Sequence, residues 1–271
     1  MKSGDPDGII RLKLSNWNGL CFKFPRKQLS KLKDYSEDIE DNPCLYLLLG
    51  EEEMKPVCYV GETDDALTRM PQHREDYWNE VLIFIGDKRN FALNKAIVKY
   101  LENKAYLDAK KISNETGRYV IKNVNTPKSS PLSPEGKIRV DEYFERIKDV
   151  CNVLGYKVFD SYINEEEQTS EEDLFFIHKG DIEAKGRLTD EGFVVLKGSK
   201  VAHDFTERTT QCFKDSGKKL REDGVIVNDE FTKDWLFGSP SGASVIVVGH
   251  NFNGRTEWKN KNGLSIKDLE E

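Results

Sequence analysis

Residues 44–62 read Cys-Leu-Tyr-Leu-Leu-Leu-Gly-Glu-Glu-Glu-Met-Lys-Pro-Val-Cys-Tyr-Val-Gly-Glu, two apolar runs (44–50 and 57–62) joined by a polar connection. Both runs are too apolar to leave either face in water, which predicts a β-hairpin at the centre of a sheet. Tyr46 falls in the middle of the first strand, Tyr59 lies on its neighbour, and Gly61 ends the second strand. A phenol inside a sheet is more often a core residue with a satisfied hydroxyl than a functional one, so the pair alone decides nothing.

Working outward, residues 9–24 predict two short strands around Asn16 to Gly19, and Pro25 opens a helix over 25–35. Thr63 is the expected N-cap of a helix carrying Ala66, Leu67 and Met70 inward until Pro71 stops it, and Val81–Gly86 reads as a third strand. From Leu93 to Ile112 apolar residues recur at three-and-four spacing, an amphipathic helix with a solvated stripe through Lys99, Asn103, Tyr106 and Lys110. Glu102 is out of place there, in line with Val98, Ala105 and Ala109 beside the buried face; such a carboxylate must be paired, neutralised or functional. Residues 117–137 read as a strand and a loop, 142–154 as a short closing helix, and 161–173 as an acidic interdomain linker. Strand and helix signals then alternate to the end, with hairpin-like Asn-Gly turns at 253 and 262. The fold class expected is α/β of the α+β kind: a small central sheet flanked by helices, followed by a second small α/β domain.

The chain of 271 residues carries 41 basic and 48 acidic side chains, a formal net charge of −7, which argues against a protein that coats nucleic acid indiscriminately. The balance is uneven: residues 1–160 hold 26 of each sign, and 161–271 hold 15 basic and 22 acidic. No apolar run approaches the roughly 18 residues of a membrane span, and the start lacks the pattern of a secretory signal, so the cytoplasm is the expected location and no membrane partner is expected. Five scattered cysteines and four scattered histidines show no zinc-ligand spacing and read as reduced, mostly buried thiols and isolated imidazoles.

Arg69 and His73, four residues apart just after the hairpin, suit an anion when they converge beside two phenols, and phosphate is the common biological one; an exposed polar face is the plainer alternative. Glu102 adds a carboxylate able to hold magnesium, which keeps most of its waters and needs only one or two such ligands.

These residues carry a resemblance. Cys44-Leu-Tyr46 and Tyr59-Val-Gly61 resemble the signature of the GIY-YIG nuclease superfamily, with Cys44 and Leu45 replacing Gly and Ile, and Val60 replacing the second Ile. Leu67 to Arg69 resembles the family's L-x-x-R helix, Gln72-His73 its Q-H, and Lys99-Tyr-Leu-Glu102 the segment that supplies its metal-binding glutamate. The resemblance implies a metal-dependent endonuclease acting on the phosphodiester bonds of DNA. Tyr59 would hold or deprotonate the attacking water with Tyr46 hydrogen-bonding nearby, Arg69 would bind non-bridging oxygens, His73 would contact the phosphate or relay a proton, and Glu102 would hold Mg2+ or Mn2+. The family also places an asparagine after the glutamate; Asn123 is preferred over Asn114 and Asn125. Residues 111–140 carry six basic and two acidic side chains, and Lys111, Arg118, Lys122 and Lys128 are the expected contacts to a phosphate backbone, a solvated loop being the alternative.

Residues 237–258, with Ser239-Pro-Ser241 and a late Asn253-Gly254 and Trp258, resemble a C-terminal domain of unknown function that recurs behind GIY-YIG domains. There Ser239-Pro240 is expected to start a helix and Trp258 to fill the core, and the domain's expected roles are target selection, partner recruitment or self-association. The expected organisation is therefore N-terminal strands and helix over 1–42, a GIY-YIG-like nuclease domain over 43–160, the linker over 161–173 and an accessory domain over 174–271. Duplex DNA is the expected substrate, in defence, restriction, mobile-element biology or repair, and a homodimer is expected because cutting both strands needs a second site. The rival reading is a non-catalytic nucleic-acid or protein-binding module that retains the fold.

Overall fold

The hairpin of residues 44–63 lies inside a six-stranded sheet, seen in a computed structural model that describes residues 8–52, 55–160, 174–189 and 191–270. The expected linker, 161–173, lies outside the described residues. The chain is mixed α and β and divides into two compact units: Met1–Glu52, Pro56–Ser113 and Tyr119–Asp160 in the first, and Glu53–Lys55, Asn114–Arg118 and Ser161–Glu271 in the second.

In the first unit β1 (Ile10–Leu12) and β2 (Gly19–Pro25) precede a ten-residue 3-10 segment (Arg26–Tyr35) and a short α1 (Ser36–Ile39). The hairpin follows as β3 (Cys44–Glu52) and β4 (Lys55–Thr63), then α2 (Ala66–Arg69), β5 (Trp78–Gly86), α3 (Lys95–Thr116), β6 (Val120–Ile121) and α4 (Pro134–Val153). The strand order is β1-β2-β5-β3-β4-β6, with β6 parallel to β4. Alternation along β3 sends Leu45, Leu47 and Leu49 into a core shared with α3 and α4, and Cys44, Tyr46 and Leu48 into a second core shared with Phe22, Ala66, Met70 and Trp78. Both faces of the hairpin are covered, which is why its strands carry no polar alternation.

Within this unit three features differ from expectation. Asp65 and not Thr63 caps α2, its carboxylate accepting from the backbone N–H of Leu67 and Thr68. The closing helix begins at Pro134 rather than 142, because Ser133 caps it and a proline at the first helical position needs no donor; what read as loop composition was a helix start. Tyr106 is buried in the core and not on a solvated stripe, while Leu107 is 51% exposed. The α4 helix lies beside α3, tied by Tyr100 to Asp141 and Lys148 to Asp108, and so widens the buried arc of α3.

The second unit holds β7 (Leu174–Lys179), β8 (Ile182–Thr189), β9 (Gly192–Val195), α5 (Gln211–Glu222), the two-stranded β10 (Ile226–Val227) and β11 (Glu230–Phe231), β12 (Trp235–Phe237), α6 (Pro240–Val248), α7 (Gly254–Glu257), β13 (Lys259–Asn260) and α8 (Ile266–Glu270). Its main sheet runs β12-β9-β8-β7-β13, all antiparallel. Ser239 caps α6 through its hydroxyl with Pro240 at the first position, and Trp258 is fully buried, its ring 4.5 Å from that of Phe193 at a 40° tilt and its indole N–H donating to the Pro240 carbonyl at 3.1 Å. Asn253-Gly254 is not a hairpin turn: Asn253 caps α7, and a Cβ at residue 254 would strike the Pro240 carbonyl. Among the described residues no helix is long and apolar enough to cross a membrane.

Candidate functional site

Tyr46 is the hub of the site. Its ring is buried against Gly61, where a methyl group would run into the phenol. Its hydroxyl lies 3.0 Å from His73 Nε2 and accepts from Arg69 Nε at 3.4 Å. His73 Nδ1 lies 3.3 Å from a carboxylate oxygen of Glu75. A carboxylate accepts only, so Nδ1 carries the proton, Nε2 accepts, and the hydrogen bonds run in one direction: Arg69 to Tyr46, Tyr46 to His73, His73 to Glu75. Tyr59 completes the cluster, its ring 6.2 Å from that of Tyr46 and 5.6 Å from that of His73.

The 3-10 turn at Met70–Gln72 carries His73 back under Tyr46 although α2 ends at Arg69; Gln72 accepts a second bond from the arginine at 3.2 Å. His73 is buried, with Tyr46 and Glu75 as its hydrogen-bond partners. Burial and the Arg69 charge hold the His73 imidazole below its ordinary range, and it is neutral near pH 7. Glu75, which fixes the tautomer, is a site residue that sequence reading missed; a carboxylate two residues past the histidine was its signal.

Both phenols resist ionisation. Burial pushes Tyr46 upward against the opposing pull of Arg69, and burial with the negative charge of Glu102 does the same to Tyr59. Glu102, half-buried on α3, is raised to about 7, first by burial and then by the Glu62 charge. Lys95, which could have neutralised it, is paired at 2.9 Å with Glu62 and at 2.9 Å with Asp64.

Asn123 is spent on the backbone. Past the two residue pairs that β6 makes with β4, its side-chain amide donates to the Val60 carbonyl at 2.7 Å and accepts from the Val60 N–H at 3.0 Å. It holds the strand between Tyr59 and Gly61, so its place beside the site is through the backbone of β4.

The expected basic strip is dispersed. Lys111 and Lys128 are exposed, whereas Lys122 pairs with Glu52 at 2.6 Å and sits 5.1 Å over the Tyr77 ring. Arg118 is buried, grouped with the second unit and ion-paired to Glu191 there, so its charge is compensated and not offered to a phosphate backbone. Cys21, Cys44, Cys58 and Cys151 are buried free thiols and Cys212 is half-buried.

A divalent cation fits Glu102 as a single anchoring carboxylate: the group is desolvated, its charge is uncompensated by any ion pair among the described residues, and magnesium needs only one or two such ligands beside water and phosphate oxygens. No group of three acidic, histidine or cysteine side chains able to hold a metal occurs among the described residues.

Residues 175–270 match the domain of unknown function DUF4357, a stretch that contains Ser239-Pro-Ser241, Asn253-Gly254 and Trp258. No curated protein and no solved structure matches the chain.

Proposed function

We propose that the first unit is a GIY-YIG-type, metal-dependent endonuclease that hydrolyses phosphodiester bonds of duplex DNA in the cytoplasm, acting as a homodimer, with the second unit selecting or recruiting the target. The observation that carries this reading is the convergence of Arg69, His73 and Tyr59 on the Tyr46 hydroxyl, with the Glu102 charge felt at Tyr59.

Arg69, half-exposed and anchored through Nε and one terminal nitrogen, presents the rest of its guanidinium to the non-bridging oxygens, where negative charge gathers as the bond to the leaving oxygen breaks. Tyr59 holds the attacking water by hydrogen bonding; with its phenol raised above the ordinary value it orients the water and does not act as a phenolate at neutral pH. Tyr46, His73 and Glu75 lock Arg69 and Tyr59 in place. Glu102 is the residue that would hold Mg2+ or Mn2+, which supplies charge stabilisation at the departing oxygen.

Nicking of supercoiled plasmid in Mg2+ or Mn2+ tests the reading, with Arg69→Ala and Glu102→Ala beside wild type. Wild-type nicking lost in both variants supports it; no nicking in either metal, or equal nicking by the variants, overturns it. The rival, a non-catalytic nucleic-acid or protein-binding module, predicts DNA binding without nicking in either metal.

A further inference from the structure

The outward face of the second unit's sheet carries chemistry that the nuclease reading leaves unused. Along β7, Phe175 and Ile177 enter the core, so Phe176 and His178 point the other way, where their rings lie parallel within 8° at a centroid distance of 6.0 Å. Cross-strand partners share a face, and Phe176 pairs with Lys185 on β8 and with Lys259 on β13. A half-buried aromatic ring is thus flanked by a lysine on either side, in a row across three strands.

This row borders a cleft of about 590 Å³ lined by Phe176, His178, Lys179, Phe252, Glu257 and Lys259 among others. Lys179 is held at its mouth: its ammonium donates to His250 Nε2 at 2.9 Å and sits 4.8 Å over the Phe252 ring, while His250 Nδ1 donates to the Asn251 carbonyl at 3.0 Å. Two carboxylates, Glu257 in the lining and Glu183 opposite His178, lie among these lysines, and the unit as a whole is close to neutral. Six of the 22 acidic residues after position 160 lie in 161–173, and residues 174–271 hold 15 basic and 16 acidic side chains.

We propose that this cleft is a binding site for a single-stranded nucleic acid, with one base stacked on Phe176, a neighbour lodged against Phe252, and Lys179, Lys185 and Lys259 on the phosphates. Two aromatic rings lining one cleft, with Lys179 held beside Phe252 and lysines paired across Phe176, suit an unpaired strand, because every base offers a π-face and stacking needs no sequence. Duplex DNA hides those faces, so the site discriminates against it. The site is independent of the nuclease reading: it needs neither Arg69 nor Glu102.

The test uses the full chain and fluorescence anisotropy with a labelled twelve-nucleotide oligo-dT, a duplex of the same length, and dTMP as competitor. To keep the first unit's binding distinguishable, each variant is measured in wild-type and in Arg69→Ala backgrounds. Phe176→Ala is expected to weaken oligo-dT binding roughly 10-fold or more in both backgrounds and Phe176→Trp to restore it, with duplex binding unchanged. Lys259→Ala, which removes no core contact, is expected to lower the log-log salt slope by about 0.7. Ultraviolet crosslinks from a 4-thiothymidine strand are expected in peptides covering 174–179 or 252–261. Wild-type binding absent at low salt, Phe176→Ala and Lys259→Ala both without effect, dTMP competing as well as the strand, or crosslinks confined to residues 1–160 would each overturn the proposal.

Discussion

The hydroxyl of Tyr46 and Nε2 of His73 lie 3.0 Å apart in a buried site, with Arg69 donating to the same hydroxyl. One phenolic oxygen therefore meets two polar groups, one at the end of α2 and one just past the turn that follows it. Tyr46→Phe leaves the buried His73 Nε2 without its donor and takes one acceptor from Arg69, which keeps Gln72, and is expected to cost about 1–3 kcal/mol of stability, the usual cost of a buried polar group left unpaired. Chemical denaturation reads it, and a loss below about 0.5 kcal/mol would show that Arg69 and His73 find other partners.

The His73 imidazole gives stability a pH dependence of definite sign. Its folded pKa is depressed by burial and by Arg69, so its contribution is complete above the unfolded value of about 6.5 and is lost as the pH falls through the folded one. Denaturation between pH 5 and 8 should show stability falling on the acid side, and His73→Gln should flatten that limb. An unchanged limb in the variant would assign it to other groups.

Glu102 acts with the opposite sign. Its carboxyl is raised to about 7, so the fold is strained by its ionisation as pH rises past that value. Glu102→Gln is expected to stabilise the metal-free protein at pH 8–9 by an amount on the order of 1 kcal/mol after solvent screening, with no gain near pH 4. The same change is expected to remove any stabilisation by added Mg2+, read as a shift in Tm. A destabilised variant at pH 9 would contradict the burial argument.

Gly61→Ala places a methyl against a ring that cannot retreat, because Tyr46 is held at its hydroxyl end. Overpacking of this kind costs about 1–3 kcal/mol. The Tm should drop by several degrees and nicking should fall even where the protein stays folded, since the hub moves. Wild-type stability would mean that the ring shifts freely.

The site was legible in sequence where a residue type and a spacing are enough. The apolar runs around Tyr46 and Tyr59 announced a central hairpin, and Glu102 stood out because a carboxylate lay in line with Val98 and Ala105. What stayed hidden depended on tertiary placement. Arg118 and Lys122 look like phosphate contacts until Glu191 and Glu52, both remote in sequence, take their charges. Asn123 looks like a ligand until its amide meets Val60, and Phe176 attracts no notice in a chain with 14 phenylalanines until Lys185 and Lys259 arrive beside it. The missed start of α4 had a local cause: proline and serine mark loops and helix starts alike, and only the helix that follows tells them apart.

Where Asn123 replaces a peptide unit on the rim of β4, the continuity of the sheet rests on a genetically exchangeable group. A backbone ladder can be altered only by insertion, deletion or proline, each of which disturbs its neighbours. Here one codon sets whether the strand stays paired for another residue between Tyr59 and Gly61. The alignment of the chemical groups is therefore open to gradual adjustment by selection without any rebuilding of the two cores beneath it.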